Sequence, residues 1–278
     1  MKTIGVIGLG VMGASFASRL SHKGYTVYGF ERSQETLDIA LQNQIIQKGT
    51  TEPETLLKEC DLIIIALYPT QILPWIRQYQ HACKDKAILM DISGVKSNII
   101  KPVQAILRED LELISIHPMC GRESRGIQFS DETIFDQANY IVVPTDQNTP
   151  EAIELAKQLG VILGVKNIST LSIEEHDRMI GFLSQLTHVI AVSLMNTHEN
   201  AHLVEYTGDS FRDLTRIAEI NEDLWSELFL LNKEILLDET DQFIASIQHF
   251  RNVLDQEDVE EMKRLFIQST KRRKLFNR

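Results

Sequence analysis

Two stretches of the chain hold residues whose types and spacing could do chemistry. The first, GVIGLGVMGASFASRLSHKGY, sets Gly8-x-Gly10-x-x-Gly13 directly after an apolar strand and at the opening of a helix. At the start of a βαβ unit this spacing points to a dinucleotide. Gly8 permits the tight turn, Gly10 lets the backbone approach a pyrophosphate, and Gly13 lets helix and strand pack closely. Val11 and Met12 begin the helix, whose N-terminal N–H groups and positive dipole end suit the phosphates. Glu31 closes the second strand 21 residues after Gly10, where an acid hydrogen-bonds the adenosine ribose hydroxyls. A carboxylate there also repels a 2′-phosphate, so the reading favours NAD over NADP. Its neighbour Arg32 could stack on adenine, or meet a phosphate if Glu31 turned away.

The second stretch is ISIHPMCGRESRGIQF, from Ile114 to Phe129. It reads as a strand that breaks at His117-Pro118 and enters a loop carrying Arg122, Glu123 and Arg125. His117 would then stand at the carboxyl end of a strand, where open α/β sheets place ligands. A neutral imidazole there can accept a proton, or it can simply cap the strand. The residues alone leave both readings open.

These groups need a scaffold. Short apolar runs (TIGVIGLG, TVYGF, DLIIIAL, AILMDIS, LISIHP and NYIVVP) alternate with amphipathic segments, and GVKNIST reads as a last strand. Such runs suit strands buried on both faces of a mostly parallel sheet. The expectation is an N-terminal Rossmann-type, doubly wound α/β domain over residues 1–170. From Ser172 the texture changes: no proline follows Pro150, glycine nearly disappears, and helical patterns take over. One of these, from Asn221 to Leu254, reads as a single long helix with Leu224, Leu228, Leu231, Ile235, Phe243, Ile247 and Phe250 near one face. Residues 171–278 are therefore expected to form an all-helical domain.

The chain has 278 residues, 43% of them apolar, enough to bury two cores of ordinary size. Its formal charge of −11 argues against a general nucleic-acid binder, which needs a basic face. The basic end KRRKLFNR reads as a solvated tail. Cys60, Cys83 and Cys120 show no metal-ligand spacing, and no metal is expected. MKTIGVIGLG reads as a core strand rather than a signal peptide, and no apolar run approaches the ~20 residues of a membrane span. The expectation is a soluble, reduced, cytoplasmic protein with no membrane or nucleic-acid partner.

The motifs beyond the glycine turn carry a resemblance. HPMCGRESRG resembles the His-Pro-Met-x-Gly-x-Glu-x-x-Gly signature of the prephenate and arogenate dehydrogenases of tyrosine biosynthesis. EEHDRMIGFLSQLTHVIAVSL is similar to that family's helix, with a His-Asp near its start and a second His twelve residues later. GDSFRDLTRIAEINEDLWSELFLLNKE is similar to its Phe-(Arg/Lys)-Asp-x-Thr-Arg-Ile-Ala and Trp segment. The four ordered motifs run from Gly8 to Glu234.

The resemblance implies NAD-dependent oxidative decarboxylation of a small dicarboxylate. Hydride leaves C4 of a cyclohexadiene for the nicotinamide, the ring carboxylate leaves as CO2, and the ring becomes aromatic. It implies that His117 accepts the proton of the 4-hydroxyl and that Ser93 helps to position them. It also implies that Arg216 grips a carboxylate, for which a planar fork is suited, and that His188, Trp225 and Glu123 belong to the substrate site. The implied assembly is a homodimer through the helical domain. Arg212 and Asp213 are expected to share a helix side with Arg216, and Gly181 and Ser184 one with His188.

Two departures stand out. The family's Asp-x-Gly-Ser-Val-Lys reads DISGVKS here, with Ser93 and Gly94 exchanged. A run of glycines reads Gly208-Asp209-Ser210, and an extra acid near a dianion could instead favour an amino group, as in arogenate or 4-amino-4-deoxyprephenate. The chain leaves no room for the small regulatory domain of some relatives, so feedback through one is not expected. A β-hydroxyacid dehydrogenase would need a lysine in the first helix after the nucleotide domain, and none occurs between Lys166 and Lys233. A non-catalytic NAD-binding sensor would have no use for His117, His188 and Arg216 together.

Overall fold

The computed structural model describes residues 3–121, 124–199 and 201–276. Among them, eight strands form one sheet: β1 (Thr3–Ile7), β2 (Thr26–Phe30), β3 (Lys48–Thr50), β4 (Leu62–Ile65), β5 (Ile88–Asp91), β6 (Glu112–Met119), β7 (Asn139–Val143) and β8 (Asn167–Thr170). Their order is β3-β2-β1-β4-β5-β6-β7-β8. The first six are parallel, β7 runs antiparallel to β6, and β8 follows β7. This is the expected doubly wound, mostly parallel sheet. β3 was not foreseen: Lys-Gly-Thr has no apolar run and joins as a three-residue edge strand beside β2.

Alternate strand residues supply two cores. Leu62 and Ile64 face the side that includes residues of α1 (Val11–His22) and α5 (Pro150–Leu163). Ile63 and Ile65 face the other, with residues of α3 (Pro69–Tyr79) and α4 (Ile100–Gln104). α2 (Gln34–Gln42) carries the chain from β2 toward β3, with Ser33 capping its start.

β6 does not break at His117-Pro118. It runs on to Met119, pairing with β7 from Ser115↔Val143 to Met119↔Asn139. Its pairing with β5 ends at Asp91↔Ser115, so β6 is by then an edge on that side. An edge position is where a strand tolerates proline.

The remaining helices are α6 (Ile173–Ile180), α7 (Leu186–Met195), α8 (Asp209–Thr215), α9 (Glu222–Leu231), α10 (Lys233–Asp255) and α11 (Val259–Lys274). The expected single helix from Asn221 is broken at Asn232. The side chain of Asn232 is buried, donating to the Gln185 side chain (2.7 Å) and the Asp177 carbonyl (3.0 Å). The chain groups into a unit ending at Asn232 and a second beginning at Lys233. The second is a hairpin in which Phe250 of α10 meets Phe266 of α11, and Asp258 caps α11.

α6 and α7 are joined without interruption by a π-helical turn, Gly181–Gln185. The stretch Ile173–Met195 is, by length and composition, long and apolar enough to cross a bilayer, contrary to the reading of the apolar runs. It nevertheless buries His176, Asp177 and Gln185, each hydrogen-bonded within the protein.

The glycine turn permits a sharp contrast. A Cβ on Gly13 would lie 1.8 Å from the Gly8 carbonyl oxygen, whereas one on Gly10 meets nothing within 4 Å. Gly13→Ala should cost about 1–3 kcal/mol or more of stability through overpacking. Gly10→Ala should melt close to the parent, and thermal unfolding of both variants checks the pair.

Candidate active site

The glycine turn lies where the strand order reverses between β1 and β4, the usual place for a ligand in such a sheet. Gly8 has φ +84°, and a Cβ there would stand 2.7 Å from the Ala66 carbonyl oxygen just after β4. The open space over Gly10 and the start of α1 fit a pyrophosphate. Glu31 is held facing the turn: its carboxylate accepts from the Leu9 N–H (2.9 Å) and the Arg32 N–H (2.7 Å). It has not turned away, and Arg32 itself is exposed.

His117 lies near the carboxyl end of β6, the same sheet edge as the glycine turn, since β6 runs parallel to β1 through β5 and β4. It keeps some accessible surface. Its Nδ1 is 2.9 Å from Nε2 of His176, whose Nδ1 is 2.8 Å from Oδ1 of Asp177. The same carboxylate accepts from the backbone N–H groups of Lys96 (2.9 Å) and Ser97 (2.8 Å). Desolvation, with His176 and Lys96 close by, pushes the His117 pKa well below the ordinary value. Burial also lowers that of His176, against the pull of Asp177. Burial alone would raise the Asp177 carboxyl, but hydrogen bonds from His176 and Ser97 outweigh it and hold the group below its usual range.

Beneath this chain lies a buried ion pair. Lys96 Nζ donates to Asp91 Oδ2 (2.9 Å) and to the Ile116 carbonyl (2.8 Å), and the Ser115 hydroxyl donates to the same Asp91 oxygen. Lys96 thus serves β6 where β5 has ended. Burial lowers its pKa, and Asp91 opposes that shift.

Ser93 departs from its expected role. Its hydroxyl donates to the Val95 carbonyl (2.8 Å), and its N–H goes to Asp91 (2.8 Å). Gly94 is the residue against the imidazole: a Cβ there would be 3.9 Å from His117 Cε1 and 3.3 Å from Leu228 of α9. The exchanged order therefore turns the serine into the local turn and presents a bare backbone to the histidine.

α9 lies across the carboxyl ends of the strands. Asn221 bonds Tyr68, Glu227 accepts from the Thr70 N–H, and the Leu231 carbonyl accepts from Asn98. Arg125, in the loop after β6, donates to Glu222 (2.6 Å) and Asp223 (3.2 Å) in the first turn of α9. Trp225, one turn before Leu228, stacks on His188 at 3.6 Å between ring centroids. His188 Nδ1 donates to the Ser184 carbonyl (2.8 Å), which sits in the π-turn and also accepts from Thr187. π-turns of this kind recur at functional sites.

Arg216 is not on the helix of Arg212 and Asp213. α8 ends at Thr215, whose hydroxyl donates to the Phe211 carbonyl (2.7 Å), and Arg216 opens a 3-10 turn, Arg216–Ala218, packed against α7. Asp209 is matched by Arg212 at 2.6 Å. Glu123 and Arg122 lie outside the described residues.

The sequence matches the family model "Prephenate dehydrogenase, nucleotide-binding domain" over residues 16–169 and "Prephenate dehydrogenase, dimerization domain" over residues 172–268. The chain belongs to the prephenate dehydrogenase family. It is 29% identical to the prephenate dehydrogenase of Bacillus subtilis (strain 168), covering 95% of this chain and 73% of that protein. It is 28% identical to the cyclohexadienyl dehydrogenase of Zymomonas mobilis, over 98% of this chain and 95% of that one. Its fold matches the prephenate dehydrogenase from A. aeolicus, solved in complex with hydroxyphenyl propionate and NAD+, with a TM-score of 0.90 and 25% identity over 100% of this chain and 99% of that one. Family membership makes the chain an oxidoreductase whose N-terminal half is its NAD-binding domain, followed by the helical dimerisation domain.

Sequence reasoning assigned no role to Asp91, Lys96, His176 or Asp177. The signal present was the charge itself: an Asp and a Lys five residues apart in an otherwise apolar segment, and a His-Asp pair in the first turns of a helix. Lys96→Met would strand Asp91 without its partner, at a cost of about 3–5 kcal/mol. Denaturant unfolding, read against the parent, checks this.

Proposed function

We propose that this chain catalyses the NAD-dependent oxidative decarboxylation of prephenate to 4-hydroxyphenylpyruvate in tyrosine biosynthesis. The observation that carries the reading is the partly accessible His117, bonded to the buried His176 on the sheet edge that holds the glycine turn; burial lowers its pKa, which favours the neutral imidazole. A neutral imidazole can take the proton of the 4-hydroxyl as the C4 hydride leaves, and an imidazolium cannot. Bound NAD supplies the hydride acceptor. Loss of the ring carboxylate as CO2 then gives the aromatic product, and aromatisation drives the reaction.

The chain's other residues take roles around that step. Arg216 grips a substrate carboxylate with its planar fork. The stacked His188 and Trp225 form a wall of the pocket, and Glu123 is assigned to the substrate site by its place in the family signature alone. Ser93 shapes the turn that sets Gly94 beside His117. Gly8, Gly10, Val11, Met12 and Gly13 hold the pyrophosphate, while Glu31 takes the ribose hydroxyls. The fixed carboxylate of Glu31 supports NAD over NADP, because a 2′-phosphate would meet like charge.

The acid at Asp209, whose charge would suit an amino group on the substrate, already has a cation in Arg212. That supports prephenate over arogenate. The nucleotide-binding domain spans residues 1–170 and the helical domain 171–278, a division supported by the two matched family segments. The helical domain pairs two copies into a homodimer in the cytoplasm.

An assay following NADH with prephenate and with arogenate, each with NAD and with NADP, tests the assignment. Prephenate with NAD should give the highest kcat/KM, and a clear preference for arogenate or for NADP would overturn it. His117→Asn should lower kcat by roughly 100-fold or more while leaving NAD affinity unchanged.

A further inference from the structure

We infer that Asp177 and His176 are positioning residues that fix His117 as its Nδ1–H tautomer, so that Nε2 is the nitrogen offered to the substrate hydroxyl. The inference rests on the reading of His117 as the proton acceptor and extends it to two residues on a different helix.

The order of protons follows from the far end of the chain. Asp177 accepts the N–H groups of Lys96 and Ser97, and backbone amides can only donate. A carboxylate satisfied this way stays ionised. Its third partner, Nδ1 of His176 at 2.8 Å, must therefore carry a proton. In a neutral imidazole the other nitrogen is then an acceptor. Nε2 of His176 accepts, and its partner at 2.9 Å, Nδ1 of His117, must be the donor. That leaves the lone pair of His117 on Nε2.

The reverse order would need an imidazolium at His176. This residue is fully buried, with Lys96 as a nearby cation, and its pKa is lowered rather than raised. The Lys96 ammonium is bonded to Asp91 and the Ile116 carbonyl.

The arrangement also serves the step itself. When His117 Nε2 takes the hydroxyl proton, the new positive charge faces the His176 lone pair, which in turn is bonded to an anion. The carboxylate favours the charged base without touching the substrate. A histidine held only by packing would sample both tautomers, and its Nε2–H form would present a donor where an acceptor is required.

The test uses the full-length chain labelled with 15N-histidine. Ring-nitrogen shifts separate protonated from unprotonated nitrogens, and the His117 signal is assigned by its loss in His117→Asn. The parent should show Nδ1 protonated and Nε2 bare. Asp177→Asn should mix or reverse the tautomers and lower kcat by roughly 100-fold or more, with KM for NAD unchanged. His176→Gln, whose side-chain carbonyl can still accept from His117, should retain more activity than His176→Leu. If Asp177→Asn does not fold, the parent spectrum and the Gln–Leu comparison decide. A parent His117 protonated on Nε2 overturns the inference, as does an Asp177→Asn protein with unchanged tautomer and turnover. The spectrum needs no substrate, so failure of the parent to turn over prephenate or arogenate would count against the proposed reaction alone.

Discussion

One carboxylate ties the helical half of the first unit to the sheet. Asp177, on α6, takes two backbone N–H groups from the turn after β5 and the ring N–H of its neighbour His176. A buried carboxylate is expensive unless its lone pairs are met, and here three donors meet them. The consequence is geometric. The turn at 96–97, the first turns of α6 and the end of β6 are held in one register, and His117 inherits its orientation from that register. Asn232, just after α9, adds a second tie by donating to the backbone carbonyl of Asp177.

The charges near the site are sorted by the same logic. The cation most deeply buried beside His117, Lys96, is paired with Asp91 and spends its remaining donor capacity on a strand carbonyl. The acids at the start of α9 are met by Arg125 and that at the start of α8 by Arg212. Exposed pairs like these contribute little stability, but each cancels negative charge locally. The protein as a whole is strongly acidic, at −11, so local cancellation matters more than net charge.

Much of this was legible in the sequence, for identifiable reasons. Strands such as Leu62–Ile65 are buried on both faces and so read as unbroken apolar runs. The glycine turn was legible because each glycine answers a steric demand of its own. β3 was not, because an edge strand of three residues needs only backbone to pair. The strand continuing through Pro118 was missed because proline signals a break, and only the fold reveals that β6 has become an edge there. The split at Asn232 was hidden by apolar periodicity on both sides of it.

For the site, the division is similar. His117 was singled out from its place at a strand end, but the His176–Asp177 support lies 59 residues away and exists only once α6 packs on the turn after β5. Ser93 was expected near the imidazole from its place in a motif. Its backbone instead points the hydroxyl at Val95, a matter of local turn geometry that residue order cannot convey. Arg216 was placed on a helix by spacing, whereas Thr215 closes that helix one residue too soon.

The central claim is that an uncharged His117 is the working base. The pH dependence of kcat with saturating prephenate and NAD tests it most directly. Since burial and its cationic and imidazole neighbours lower the pKa of His117 well below 6.5, turnover should stay level as the pH falls through 6.5 and decline only in more acidic solution, where the imidazole becomes protonated. A one-proton loss of kcat centred at or above 6.5, the value of an ordinary exposed histidine, would contradict the account.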